Sequence, residues 1–316
     1  SFGFINTGNN NQIISNTQNV SLKNQNIFLY SEKSTGNIIN NTKIKTIGNQ
    51  NYGIYTVGTA SNNAEIDLTQ GAGNVGVYSM GQQNVSNFST IKVGESKVQE
   101  KLYSIGMAAG YYDIDNNISV YTGKIENTNT GKIEVTGKNG IGMYAVGRGS
   151  VAINNGEIHL SGRNSIGMFV DQEAVGINNG LITSTADAVG AIGAVATNRA
   201  IFKNYGTINI LPQAGVGVLL KKDGILEEYS SPSATVAQEE SSRITAEARI
   251  KIPQLPKTGK ELADGSVEII SLSGDSIPEI KINRKVINPV EIDVDTKSSG
   301  TKIIRDGNSV TTVSDT

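Results

Sequence analysis

The chain has no cysteine, no tryptophan, a single histidine and only six prolines. Without cysteine there is no disulfide scaffold, no thiolate metal site and no cysteine nucleophile. The absence also suits a chain that crosses an oxidising compartment unfolded. One histidine, His159, leaves no Ser-His-Asp set and no histidine-based metal cluster to build. Neither sign of charge prevails: the net charge is -2, which gives no electrostatic footprint for nucleic acid or anionic membrane. No window reaches the roughly 18 apolar residues of a membrane span, and no signal peptide opens the chain. Aromatics make up only 5%, yet the 37% hydrophobic content is too high for a disordered chain.

What is abundant is Gly, with 36 residues, alongside Asn, Thr, Ser and Ile, and these residues recur at a fixed period. The stretches TGKIEVTGKNGIGMYAVG (130–147), NGEIHLSGRNSIGMFVD (155–171), NGLITSTADAVGAIGAVA (179–196) and YGTINILPQAGVGVLL (205–220) share one frame. Each has a small residue, then x-Ile-x-apolar, a short turn, and apolar-Gly-apolar. Gly131, Gly156, Gly180 and Gly206 mark the small position, spaced 25, 24 and 26. The frame extends upstream through Ser89, Ala64, Thr42 and Gln18. Two residues before this slot stands Asn16, Asn40, Asn62, Asn87, Asn129, Asn154, Asn178 or Asn204; two after it stands Val20, Ile44, Ile66, Ile91, Ile133, Ile158, Ile182 or Ile208.

A period near 25 built of short alternating strands is too short for a propeller blade and has no helical periodicity. It predicts an all-β fold, a right-handed parallel β-helix of three-strand coils, about eight of them in residues 1–224. One coil cannot bury its isoleucines; stacked at about 4.8 Å, coils make a continuous core. Strand alternation points Ile158 and Leu160 in, Glu157 and His159 out. In the next strand it points Ile141, Met143 and Ala145 in, Gly142 and Tyr144 out. The Asn column predicts a buried amide ladder at a corner. Two outward columns alternate in sign: Lys45, Asp67, Lys92, Glu134, His159, and Arg148, Glu173, Arg199, Asp223. Opposite charges stacked this way support register. Ser1 enters in mid-pattern, so the chain reads as a segment of something longer.

Between Ser89 and Gly131 the spacing is 42, about 17 residues more than one coil. The excess is placed in an inserted loop or hairpin at 109–124, where Tyr111, Tyr112, Asp113 and Asp115 are the contact-capable side chains. A plain connecting loop is the alternative. Beyond Gly224 the repeat stops. Residues 225–242 read as a flexible link, and 243–316 as a small β-rich domain or β-arm with strands at 243–252, 266–272, 279–282 and 290–294. Asp306-Gly307 is a hairpin turn candidate.

No constellation carries catalysis. Asp67 and Glu134 lie on different rungs among lysines, unlike paired carboxylates poised as acid and base. Asp113, Asp115 and Asn117 loosely suggest a calcium loop, but Ile118 stands where such a loop needs Gly. Leu255-Pro256-Lys257-Thr258-Gly259 spells a wall-sorting signal without the hydrophobic span and basic tail that must follow, and is read as coincidence. Tyr55, Tyr78, Tyr144 and Phe169 form an outward column: rings that stack on one another over the glycines, or a stripe for ligand contact or for docking residues 243–316. No enzyme activity, cofactor or metal is expected.

GKIEVTGKNGIGMYAVGRGSVAINNGEIHLSGRNSIGMFVD resembles the passenger domains of large fusobacterial-type monomeric autotransporters (type Va secretion), a group that includes galactose-inhibitable and arginine-inhibitable adhesins. The likeness covers about residues 1–224, and EIKINRKVINPVEIDVD resembles β-rich segments of the same proteins. It implies a surface-displayed adhesin segment whose partner is a host-cell or bacterial surface protein or glycan. It also implies a C-terminal outer-membrane β-barrel in the full-length protein, while this segment itself enters no membrane and binds no nucleic acid. No family motif maps residue by residue onto this chain. The contact residues expected are therefore those read from the sequence: Tyr111, Tyr112, Asp113 and Asp115 in the loop, and Arg148, Glu173, Arg199 and Asp223 at the corner. A passive stalk and a β-helical carbohydrate-active enzyme are the alternatives.

Overall fold

In the computed structural model, residues 1–229 are described apart from 212 and 213, and beyond them only the strands Val236–Glu239, Lys260–Glu261, Val267–Glu268, Thr301–Asp306 and Ser309–Ser314. Among the described residues the chain winds into stacked coils, each giving one strand to each of three long sheets. The sixth coil shows the plan: Ile141–Val146 enters the first sheet, Val151–Asn154 the second and Glu157–Leu160 the third. Eight coils are complete and a ninth begins with Gly215–Leu220 and Ile225–Glu228. Within the coils every strand pairs in parallel with its counterpart one coil away, so the architecture is the right-handed parallel β-helix that the 25-residue period predicted. The sequence repeat ends at Gly224, yet Ile225–Glu228 still pairs with Ile201–Asn204, so the rod reaches at least Glu228. The expected strands at 243–252, 279–282 and 290–294 lie outside the described residues, as do 255–259 and Gly307. Of 266–272 only Val267 and Glu268 are described. On either side of Gly307, Thr301–Asp306 pairs antiparallel with Ser309–Ser314.

The isoleucine column holds along its whole length. Val20 lies beside Ile44, and the register runs on through Ile66, Ile91, Ile133, Ile158 and Ile182 to Ile208. From Ile44 onward these side chains are at most 1% exposed. They meet the second sheet's inward residues, where size is matched between rungs: Phe202 packs over Gly176. Burial of one such side chain contributes about 1.5–3 kcal/mol.

The asparagine ladder is present, with two positions corrected. Asn40, Asn62, Asn87, Asn127, Asn154, Asn178 and Asn204 each pass an amide hydrogen bond to the next, at 2.7–2.9 Å. Asn129 is not a member; two extra residues in that turn put Asn127 in its place. Asn16 sits one residue beyond Ser15, which stacks on Asn40, and instead accepts from Asn41 on the outer side of the corner. The small slot that follows the ladder is a close approach between backbones. A Cβ on Gly156 or Gly180 would collide with the carbonyl oxygen of Gly131 or Gly156 on the neighbouring coil.

The first sheet departs from strict alternation. Met143 and Ala145 face the interior, but so does the Gly142 position, whose missing Cβ would point at Ile158. Two consecutive residues therefore face inward, as at a bulge, and Ile141 and Tyr144 both turn to the outer face. The inward placement of Ile141 is thus corrected. The aromatic column does lie on the outer face, with rings in mutual contact: Tyr55 and Tyr78 at 4.7 Å, Tyr144 and Phe169 at 5.7 Å. It is not exposed, however. Tyr55, Tyr78, Tyr144 and Phe169 are each at most 1% accessible.

Candidate functional site

The excess between Ser89 and Gly131 is divided. Part lengthens the turn after Asn127. Part lies at 94–104, where a single 3-10 turn, Val98–Glu100, leads back to the first sheet. The rest forms an antiparallel hairpin, Tyr111–Asp113 with Ile118–Tyr121, which leaves the rod between Ile105–Ala109 and Lys124–Asn127. Gly110, at φ +84°, turns the chain outward, and its carbonyl accepts from the Tyr78 hydroxyl at 2.9 Å.

The four loop residues singled out from sequence have unequal fates. Tyr111 is 8% exposed and belongs to the rod's packing. Tyr112 is half-buried and donates its hydroxyl to Asn117 at 2.6 Å. The Asp113 carboxylate accepts from the backbone N–H groups of Asp115 and Asn116 and from the Asn116 amide, so it caps the hairpin turn. Of the four, only Asp115 is exposed. Sequence reading passed over Ile118 and Val120, which are 53% and 38% exposed on one edge of the hairpin. Their alternation with Ser119 and Tyr121 was the available signal.

At the corner, hydrogen-bonded tight turns stack rung on rung. In Asp171–Ala174 and Thr197–Ala200 both central residues have positive φ, and the same holds at Lys222 and Asp223. This geometry places Glu173 between two guanidinium groups. Arg148 Nε donates to Glu173 Oε2 and Arg199 Nη2 to Oε1, each at 2.7 Å. Three of the four expected residues are therefore joined in one ladder. Asp223 is exposed on the next rung, and no ion pair reaches it among the described residues.

The third-sheet charges also stack as read: Lys45 on Asp67, Asp67 on Lys92, Lys92 on Glu134, Glu134 on His159. Their ion pairs run elsewhere. Lys92 binds Glu65 at 2.9 Å, Lys132 binds Glu134 at 2.7 Å, and His159 Nε2 meets Glu157 at 2.8 Å on its own strand. The Glu65 carboxylate holds the Lys92 ammonium above the usual lysine range. Among the described residues no three His, Cys, Asp or Glu side chains converge as metal ligands, and no helix is long and apolar enough to cross a membrane.

Stacked coils with ladders along every corner define the class: a parallel β-helical repeat protein. Comparison with known families matches residues 2–181 to the BigA third pectate lyase-like domain. The match spans more than half of the chain, and the chain belongs to that family. Searches of curated proteins and of solved structures return no match. The matched stretch includes the first six coils, the hairpin and the Asn ladder from Asn40 to Asn178.

Proposed function

We propose that this chain is a non-enzymatic rod segment of a bacterial cell-surface protein, and that it serves attachment to host cells or other bacteria. The observation that carries the reading is the distribution of polar chemistry. Arg148 and Arg199 pair with Glu173 yet keep 80% and 67% of their side-chain area exposed, and the hairpin of Tyr111–Asp113 with Ile118–Tyr121 is an antiparallel strand pair that leaves the rod. Contacts to a surface protein or glycan then fall on its outer edge, at Asp115, Ile118 and Val120, and on the Arg148–Glu173–Arg199 ladder. The resemblance to fusobacterial-type autotransporter passengers supports display at the cell surface, with a β-barrel elsewhere in the full-length protein. A lyase or hydrolase needs acids gathered at one place, whereas Asp67 and Glu134 are separated by the rung that carries Lys92.

The deciding experiment is binding of the purified chain to whole bacterial and host cells, with sugars and amino acids as competitors. Attachment is expected, and Ile118→Ser with Val120→Ser is expected to weaken it at least about tenfold, in the range of a lost apolar hot spot. Attachment that ignores the hairpin favours the second reading, a passive stalk. That reading has its own support: Tyr111 and Asp113 serve the rod and the turn. Turnover of polygalacturonate would replace both readings with an enzyme.

A further inference from the structure

The two arginines of the corner ladder keep more bonding capacity than Glu173 takes up. A guanidinium carries five N–H donors in a planar fork. Arg148 spends its Nε–Nη2 edge on one oxygen of Glu173 and leaves Nη1 without a partner among the described residues. Arg199 spends only Nη2, on the other oxygen, and leaves Nε and Nη1. Both side chains are largely exposed. The carboxylate between them is fixed. Glu173 lies in its tight turn at φ +64° with its backbone N–H donating to Asn198 on the next coil at 3.1 Å, and Arg199, at φ +61°, donates to Lys222 in the same way. Glu173 therefore holds in place two guanidinium groups that stand two coils apart, about 10 Å at about 4.8 Å per coil. Long side chains ordered before a ligand arrives remove much of the ordering cost of binding. Two cations face one anion there, in a chain whose net charge is -2, so the surplus is local. On the next coil Lys222 and Asp223 offset each other.

The hairpin stands at the same corner. Arg148 is flanked by Gly147 and Gly149, and the hairpin packs on both. A Cβ on Gly147 would lie 2.4 Å from the Ser119 hydroxyl oxygen, and one on Gly149 would lie 3.2 Å from the Thr122 methyl group. Ser119 thus faces the rod, while its strand neighbours Ile118 and Val120 face water. A cationic ladder and an exposed aliphatic edge meet at one turn of the rod.

We propose that Arg148 and Arg199 form a two-pronged receptor for the carboxylates of an acidic protein segment, with Ile118 and Val120 as the apolar contact beside it. A carboxylate matches the guanidinium fork with two parallel hydrogen bonds. In an extended polyproline II segment, residues three apart share one face and stand about 9 Å from one another, close to the separation of the two prongs. A protein is the occupant in preference to an acidic glycan because the side chains exposed beside the arginines are aliphatic. A sugar ring stacks on an aromatic face, and the hairpin's Tyr112 is half-buried with its hydroxyl on Asn117. The inference deepens the attachment reading by naming the partner's chemistry, and rests on that reading only for the partner's place on a cell.

The test is fluorescence anisotropy of a fluorescein-labelled oligoglutamate with the full chain. Binding is expected, weakening as salt screens the charges, and Arg148→Gln with Arg199→Gln is expected to reduce it at least about tenfold. A second variant, Arg148→Lys with Arg199→Lys, keeps the charge and removes the fork, and is expected to bind at least about threefold more weakly than the parent. No binding by the parent, or parent-like binding by either variant, overturns the proposal. Displacement of the probe by chondroitin sulfate at lower concentration than by unlabelled oligoglutamate also overturns it, and makes an acidic glycan the ligand. On whole cells the Gln variant is expected to lose attachment, as is the hairpin variant Ile118→Ser with Val120→Ser. Loss in the hairpin variant alone leaves the attachment reading standing and refutes the receptor. A parent chain that binds the probe but no cell sinks the attachment reading and leaves the receptor.

Discussion

At the scale of a residue, the fold depends on what one amide can do in a stack. Asn154 is fully buried, accepts from Asn127 at 2.9 Å and donates to Asn178 at 2.8 Å. The side chain satisfies its neighbours and is satisfied by them, which is why the same residue type recurs from Asn40 to Asn204. Asn154→Ala strands the Asn178 carbonyl oxygen in a dry corner. The cost of such an orphan is about 1–3 kcal/mol, read as a lower midpoint of urea unfolding at unchanged slope. Asn179 belongs to an outer, exposed ladder, donating to Asn155 at 2.7 Å. There water replaces the lost partner, so Asn179→Ala is expected to stay within about 0.5 kcal/mol of the parent. Equal losses at the two positions would refute a special role for the inner ladder.

At the scale of an element, turns and charges tune a stack that apolar columns hold. Glu173 links Arg148 and Arg199 from a left-handed turn, and both guanidinium groups are largely exposed, at 80% and 67% of their side-chain area. Exposed pairs contribute about 0–1 kcal/mol each. Glu173→Gln should therefore cost no more than about 1–2 kcal/mol in low salt, and most of the difference should vanish at about 1 M NaCl, where screening is complete within a few ångströms. A salt-independent loss would mean that the carboxylate acts through the turn instead. The same elements show what was legible in the chain. Strand register was legible, because every strand carries an apolar residue at one fixed place, and the Ile44-to-Ile208 column was read without error. Turn lengths were not, since Asn16 and Asn129 fit the spacing while the stack selects Ser15 and Asn127. Alternation misled at Ile141 because Gly142 and Met143 both turn inward. The hairpin announced itself through spacing alone, but which of its residues face water depended on packing, and there Ile118 and Val120 outrank Tyr111.

At the scale of the whole molecule, the rod has two apolar layers back to back on one sheet, and only the inner one follows from the repeat. The outer one could not be read from the repeat because Gly142 and Met143 both turn inward and Ile141 joins Tyr144 on the outer face. Its chemistry makes the molecule sensitive to alkali. Burial raises the phenol groups of Tyr30, Tyr52 and Tyr78 above their ordinary value of 10.0, with the Glu32 carboxylate adding to the rise at Tyr30. Each keeps its proton in the folded chain at pH values where the unfolded chain has lost it. Their contribution is whole below pH 10 and is lost as the pH climbs from there toward the raised folded values. Nothing is lost on the acid side from these groups. Alkaline titration should thus show a cooperative rise of phenolate absorbance from these buried groups that coincides with loss of β-sheet dichroism. Reversible ionisation of every tyrosine with the dichroism intact would mean that the outer layer opens to water without unfolding, and that the first sheet stands without it.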